Sequence, residues 1–582
     1  MDIDPSSGYH YDRIADTTRE NSMQAQSLIQ IQGDRPSKEV SPATDLAQTG
    51  FTAAFRIDLG GIAGDEALFE AGPLRLALRM AGADPALEKY DRDGGNYLSF
   101  PLADGSCPVV EATLAGLRVG IPVGLLAKPE GAHDVVVHSE RSHLSIAVDG
   151  HVDDDMLSEP AVEADLSAPR TVSPRVASAR VSVPALPDAL GRAPDARPVE
   201  RSIQYWTPDG HDAWVGDVAP GVFDGRLHVF YLFDRRHHGS KRGAGGHWFA
   251  HLSSADLSRW DEHPPAVPIE AWWETLGTGT PFTKDGRLCL AYGLHTDRIV
   301  KDGSRPTGGT YAVSDDGIRF AKTGTIFTDV QNPSVYDRPG GGYEFVAGYG
   351  AAGGLFRSDD LARWTLFDGA LPFRGDCPSL FDWRGRRYLL QGFSHFACSP
   401  DGAPGTFADR SAEPDAPYDG LSVPMVVPWK DDRRLYVGWL MHPAGWGGWL
   451  VFRELVAHPD GRLGMKWVPE IAPPVPPQDF RAAAGEPFER RFEREDGGPA
   501  LVLRIDPARR EASFADDVPA PAFDERWKAR NVRIGAVRGL DGAYGVRLVV
   551  WYDRKAGATI FDAEIAGGRT LVCRRRGRYR PI

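Results

Sequence analysis

The sequence predicts an all-β protein, a five-bladed β-propeller flanked by an N-terminal and a C-terminal β-sandwich. Two observations carry this. A tight turn followed by an apolar and aromatic strand recurs through the middle of the chain, and short runs of alternating polarity fill the segments on either side.

Taken in order, residues 1–48 are rich in Ser, Asp, Gln and Thr without apolar periodicity, and are expected to form a disordered tail. Residues 49–165 alternate in short runs, such as Leu74-Arg75-Leu76-Ala77-Leu78 and His143-Leu144-Ser145-Ile146-Ala147-Val148, separated by Asp-Gly and Gly-Gly turns. That pattern predicts a lectin-like β-sandwich. Residues 166–199 repeat Pro, Ala, Arg and Ser, which suits an extended linker rather than a packed element.

From 200 to 475 the recurring unit appears. Asp224-Gly225-Arg226-Leu227-His228-Val229-Phe230-Tyr231 and Asp285-Gly286-Arg287-Leu288-Cys289-Leu290-Ala291-Tyr292 are strong copies, and weaker ones begin at Gly341-Gly342, Arg384-Gly385 and Asp431-Asp432. Their spacing of roughly 40 to 60 residues is the length of a four-stranded propeller blade. A second repeat, S-x-D-L-x-R-W, occurs at Ser254–Trp260 and Ser358–Trp364. Alternation returns in 476–582, as in Ala500-Leu501-Val502-Leu503-Arg504-Ile505, and predicts the second sandwich.

Composition excludes several functions. A net charge of −14 over 582 residues argues against a nucleic-acid partner, despite the basic run Arg574, Arg575, Arg576, Arg578 and Arg580. Five cysteines without a C-x-x-C pair give no support for a disulfide framework or a zinc site, and no second histidine cluster is evident near His237 and His238. No cofactor or metal is expected. Neither a signal-like N-terminus nor an apolar stretch of membrane-spanning length is evident, so a cytoplasmic address without membrane contact is expected. Oligomeric state is not legible.

In a propeller the innermost strands surround one axis, so positions at a similar offset before each turn copy converge on one funnel. Those positions are Asp217, Thr278, Asn332, Asp376 and Ser422. A carboxylate in an apolar context is costly unless paired or used. Two carboxyls across a small cavity are what glycosidic cleavage needs, one as nucleophile or base and the other as acid. Against this stands the ordinary role of Asp near turns, which is to bind backbone amides. Trp214, Trp272, Trp273 and Trp446 are candidates for stacking on sugar, with blade packing as the alternative. Arg374, close to Asp376, joins Trp214, Thr278, Trp273 and Ser422 as a candidate substrate contact. Cys377 reads as a small buried hydrophobe.

These segments resemble glycoside hydrolase family 32, the β-fructosidases. Trp214-Val215-Gly216-Asp217 with Asp224-Gly225 and His228-Val229-Phe230-Tyr231 is similar to the nucleophile motif, and Asp376-Cys377-Pro378-Ser379-Leu380-Phe381 to the E-C-P-D-L-F acid/base motif. Gln331-Asn332-Pro333 takes the place of R-D-P, and Trp439, Gly448-Trp449, Arg453-Glu454-Leu455 and Pro469-Glu470-Ile471 resemble the fifth-blade signature. The resemblance implies hydrolysis of an oligo- or polysaccharide fructoside with retention, Asp217 being the nucleophile, Asp376 the acid/base and Asn332 the hydroxyl-orienting residue. Three departures accompany it. N-D-P-N-G is absent around Asp217, Asn332 replaces a carboxylate, and Asp376 replaces a Glu. The last change withdraws the carboxyl by roughly an ångström, a misplacement worth about 10²-fold in rate. An acid at Asp376 calls for a raised pKa. Another furanosidase, such as an arabinofuranosidase, or a non-catalytic sugar-binding protein are the alternatives.

Overall fold

The computed structural model describes residues 50–582 except 83–94, 141, 160–161, 168, 187–188, 191–194, 296–303, 329–331, 348–353, 374–375, 393–394 and 524–528, together with strands at 26–32, 35–38 and 44–45. The expected tail at 1–25 lies outside the described residues. The regular secondary structure of the described chain is almost entirely antiparallel strand.

The N-terminal part forms two main sheets. One orders His151–Met156, His143–Val148, Ala132–Glu140, Phe51–Asp58, Val176–Val183, Gln26–Gln32 and Arg35–Lys38; the other orders Pro169–Val172, Glu66–Ala71, Leu74–Met80, Pro108–Leu114 and Leu117–Pro122. Phe51, Phe55, Phe69, Leu76, Val119 and Val137 form one buried cluster, with the Phe55 and Phe69 rings meeting edge to face at 5.0 Å. This corrects the expected linker. Pro169–Val172 and Val176–Val183 are sheet strands, the second paired with both Phe51–Asp58 and Gln26–Gln32. Val176, Ala179 and Val181 are buried, and this apolar side of the strand outweighs the composition around it. The strand at Gln26–Gln32 likewise replaces part of the expected tail.

The middle of the chain is a series of antiparallel meanders. Ala213–Phe223, Arg226–Arg235, Trp248–Ser254 and Asp261–Val267 pair in chain order, as do Ser422–Trp429, Arg433–His442, Gly445–Ala457 and Leu463–Lys466. A single pairing, Val215 opposite Gly448, joins these two units into one sheet. Between them in sequence lie three more sheets. Their leading strands are Thr275–Gly277 continued by Pro281–Lys284, then Ser334–Asp337, then Ser379–Trp383.

Each meander is punctuated by the turns seen in the sequence. Asp224 and Gly225 have φ of 46° and 70°, and Asp285 and Gly286 have 52° and 75°, the left-handed pair that a two-residue hairpin needs to match strand twist. The S-x-D motif makes a second, outer turn. Ser254 Oγ accepts from the Leu257 amide at 2.8 Å while Asp256 Oδ1 accepts from the Ser258 and Arg259 amides at 2.9 Å. Ser358 and Asp360 repeat this.

A cavity of about 270 Å³ is lined by residues from the leading strand of every meander, among them Pro220, Pro281, Asp337, Asp382 and Val427. The leading strands therefore converge on one cavity.

The C-terminal part again has two sheets, Gln478–Ala482, Tyr544–Asp553, Ala558–Ile565 and Arg569–Arg576 against Val532–Ile534, Glu511–Asp516, Leu501–Asp506, Phe488–Arg494 and Tyr579–Pro581. Their core is continuous with Tyr205, Trp214, Trp449 and Leu455 of the middle region. A buried ionic group sits at that junction: Arg453 Nε lies 2.8 Å from Asp419, its Nη2 lies 2.9 Å from Asp562, and Tyr205 donates to Asp562 at 2.6 Å.

The junction with the N-terminal sheets is also ionic. Arg235 Nε donates to Asp154 at 2.8 Å, Arg236 pairs with Asp153, and the Lys241 amide donates to Asp155 at 2.9 Å. Both guanidinium groups are buried. No helix among the described residues is long and apolar enough to cross a membrane.

Candidate active site

The site is built where the leading strands begin. Asp217 lies within Ala213–Phe223, at the point where pairing with Arg226–Arg235 slips between Val215 and Val218. Such a bulge re-aims a side chain. Thr278 follows Thr275–Gly277, Asn332 precedes Ser334–Asp337, Asp376 precedes Ser379–Trp383 and Ser422 opens Ser422–Trp429. The backbone departs from ordinary conformations at three of these entries, with φ of 54° at Asn332, 48° at Cys377 and 43° at Val423. Asn accepts the left-handed region readily, whereas Cys and Val are held there at a cost of about 1–2 kcal/mol each.

Asp217 is buried and fully engaged. Thr278 Oγ1 donates to Oδ2 at 2.6 Å, Cys377 Sγ approaches the same oxygen at 3.5 Å, and Trp439 Nε1 donates to Oδ1 at 3.1 Å. Burial pushes this carboxyl up from 3.8 to about 6, helped by the charge of Asp376 and opposed by the hydrogen bonds from Thr278, Cys377 and Trp439. Asp376 is partly exposed, and its Oδ1 accepts from the Asn332 side-chain amide and from the Cys377 backbone amide, the latter at 3.0 Å. Cys377 thus touches both carboxyls. Its thiol is buried, and burial beside Asp376 and Asp217 holds its pKa well above the usual thiol value.

The structure therefore gathers Asp217 with Thr278, and Asn332 with Asp376, and joins the two pairs through Cys377. Ser422 is buried and lies opposite Trp439 in the strand register, one strand from the indole that binds Asp217. Arg374 lies outside the described residues. Trp214 is placed elsewhere than expected. It is fully buried, with His237 stacked at 5.3 Å, His442 at 4.4 Å and Lys555 Nζ 4.6 Å from its ring centre, so no face is left for a sugar. Trp273 is half-buried against the cluster containing Phe230, Phe249 and Leu276, with Arg305 5.5 Å over its ring. Trp446 covers Gly216, where an added Cβ would fall 2.0 Å from its ring, and lies 5.4 Å from the Trp439 ring.

Sequence reasoning missed two participants. Trp439 was visible only as part of a strand signature, because its offset is set by the second strand of its meander rather than the first. His295 ends Arg287–His295, and an added Cβ on Gly277 would meet its Nε2 at 2.1 Å and Asn332 Oδ1 at 2.5 Å. Nothing in the local sequence around His295 marks that convergence.

A second cluster departs from the expectation that histidines do not assemble. Asp234, His238 and His247 each offer one potential ligand atom, all within 4.8 Å of one another. Their spacing of four and nine residues resembles no ligand motif, because a loop returns His247 to the strand edge.

Residues 211–405 match the family described as Glycosyl hydrolases family 32 N-terminal domain. The chain is 29% identical over 191 residues to a Bacillus subtilis sucrose-6-phosphate hydrolase, covering 28% of this chain and 38% of that protein. It is 25% identical over 272 residues to a probable sucrose-6-phosphate hydrolase of Psychromonas ingrahamii, covering 39% and 49%. The chain thus spans less than half the length of these two relatives. A solved structure of a Bombyx mori GH32 β-fructofuranosidase is similar at 18% identity and a TM-score of 0.48, covering 65% of this chain and 89% of that one. Asp217, Thr278, Asn332 and Asp376 all lie within the segment that matches the glycosyl hydrolases family 32 N-terminal domain.

Proposed function

We propose that the protein is a retaining glycoside hydrolase acting on β-linked fructofuranosides, working in the central funnel of a five-bladed propeller held between two β-sandwiches. The observation that supports this best is the carboxyl pair. Asp217 and Asp376 come from different meanders, share Cys377 as a neighbour, and are close enough for one charge to raise the other's pKa. The meanders and the shared cavity between their leading strands support the propeller, with blades led by the strands that contain or adjoin Asp217, Thr278, Asn332, Asp376 and Ser422.

In this reading Asp217, ionised above about pH 6, attacks the anomeric carbon through one carboxylate oxygen. Thr278 and Trp439 each donate to one of its oxygens and fix the plane of the group before attack. Asp376 gives its proton to the leaving oxygen as the glycosidic bond breaks, forming an ester on Asp217. It then takes a proton from the water that cleaves the ester. The Asn332 amide holds Asp376 Oδ1, leaving Oδ2 as the oxygen for proton transfer.

Reducing-sugar release from sucrose, sucrose 6-phosphate, inulin, levan and aryl arabinofuranosides tests the proposal, with Asp217→Asn as control. Turnover of a fructoside that the variant abolishes, with the product anomer retained, is the expected result. Turnover confined to arabinofuranosides would reassign the sugar, and equal turnover by both proteins would overturn the mechanism.

A further inference from the structure

We propose that Asp234, His238 and His247 bind a divalent first-row transition ion of the zinc type at the rim of the candidate active site. Two imidazole nitrogens and one carboxylate oxygen are a donor set suited to such ions, and three protein ligands leave a position for water. Asp234 is the penultimate residue of Arg226–Arg235, His247 precedes Trp248–Ser254, and His238 lies in the loop joining these two paired strands. The ligand atoms lie within 4.8 Å of one another, and bonds of about 2.0–2.2 Å require them to close by roughly an ångström.

The carboxylate supplies the independent sign. Asp234 is fully buried, and its Oδ1 is already occupied by the His238 amide at 3.0 Å and His247 Nε2 at 3.1 Å. Its Oδ2 is also buried and accepts no hydrogen bond among the described residues. An Asp–His ion pair alone explains Oδ1. It leaves Oδ2, an anionic oxygen removed from water, without a partner, and buried charges of that kind are ordinarily paired or bound to a metal. The His238 and His247 rings meet at 4.7 Å, bringing the second imidazole to the same place without need of that ion pair.

The site borders the candidate active site through one side chain. The Trp446 ring lies 4.1 Å from the His238 ring and 4.8 Å from that of His247, and the same indole covers Gly216 beside Asp217. Metal binding therefore clips the loop between the two strands and fixes the seat of Trp446.

The test is zinc binding by the full chain after exhaustive dialysis against a chelator. Metal content is measured following re-addition of one to three equivalents of Zn²⁺ and gel filtration, and Co²⁺ is added separately for its ligand-field absorption. One equivalent of retained zinc and a Co²⁺ spectrum of low-coordinate type are expected in the parent, both lost in His238→Ala and Asp234→Asn. His238 is partly exposed, so His238→Ala keeps the fold, which thermal unfolding without metal verifies. Retention of one equivalent by a folded His238→Ala, or no retention by the parent, would overturn the proposal. Because the readout is binding, it stands or falls separately from the hydrolase reading.

Discussion

Replacing Asp217 by Asn should stabilise the protein above pH 6 while removing its proposed nucleophile. The carboxyl is buried with a folded pKa of about 6 against an ordinary value of 3.8. A raised carboxyl pKa means that the folded state holds a proton the unfolded state gives up. Its contribution to stability is thus fully present below 3.8 and is lost as pH rises through 6. A difference of about two units corresponds to about 3 kcal/mol forfeited at neutral pH. Asn carries no charge to desolvate and keeps the contacts, since its Oδ1 accepts from Trp439 and its amide donates to the Thr278 hydroxyl oxygen.

The assay is the thermal midpoint of parent and variant from pH 4 to pH 8, followed through the transition of the central region. For a unit of 150–250 residues, about 3 kcal/mol corresponds to roughly 6–12 °C. The variant should lead by an amount of that order at pH 7.5, and the gap should close as pH falls toward 4. Titrating groups that do not interact with Asp217 act on both proteins and cancel in the difference, leaving the coupled Asp376 as the one neighbour that contributes. A gap that is constant with pH, or that widens on acidification, would refute the assignment of a buried, protonation-linked carboxylate to position 217.

Further predictions concern the groups around it. Trp439→Phe removes a hydrogen bond that favours the ionised form of Asp217, so the acid limb of kcat/KM, expected near pH 6, should move upward by about one unit, the size of a charge-assisted bond of about 1.5 kcal/mol. A pH–rate profile unchanged in position would contradict this. Arg236→Ala strips the guanidinium that neutralises Asp153, Asp155 and Asp212, and should cost about 3–5 kcal/mol at pH 8. Burial pushes Asp212 up to about 7 and raises Asp153 and Asp155, so protonation relieves the loss and the destabilisation should be smaller at pH 5. Thermal unfolding at the two pH values decides it.

Local chemistry made the turns and alternations legible, and long-range pairing hid the rest. Asp224-Gly225 and Asp285-Gly286 announce hairpins because few other residues tolerate their backbone angles. The S-x-D-L-x-R-W repeat was visible twice, yet the same outer turn occurs at Ser314-Asp315-Asp316 and Ser399-Pro400-Asp401, where the Asp side chains again accept amides at 2.8–3.0 Å. Only the Ser and Asp make the turn, so the Leu and Trp that made the repeat noticeable were free to change. Val176–Val183 was obscured by the Pro- and Arg-rich residues around it. Its place in a sheet depends on strands more than 100 residues away in sequence, which no local window reveals. Trp214 misled for a related reason: an indole beside a candidate nucleophile reads as a sugar platform, but strand alternation points it away from Asp217 and into the C-terminal junction.

The two departures at Asn332 and Asp376 become intelligible as one arrangement. A carboxylate at 332 would face the Asp376 carboxylate at hydrogen-bond distance, and one of the two would have to hold a proton. The amide of Asn332 instead donates to Asp376 Oδ1, alongside the Cys377 backbone amide at 3.0 Å. Two donors on one oxygen fix the shorter Asp side chain in place, and orientation lost with a methylene is partly recovered by immobilisation. The exchange also leaves two carboxyls in the funnel instead of three, limiting how far Asp217 is raised above its ordinary value of 3.8. Asp376→Glu alone should therefore lower turnover, because the longer side chain leaves the Asn332 amide and crowds Asp217, whereas the double change Asn332→Asp with Asp376→Glu should recover part of it. Steady-state kcat for the parent, the two single variants and the double variant forms a complete cycle. Additive losses would show that the two positions are not coupled.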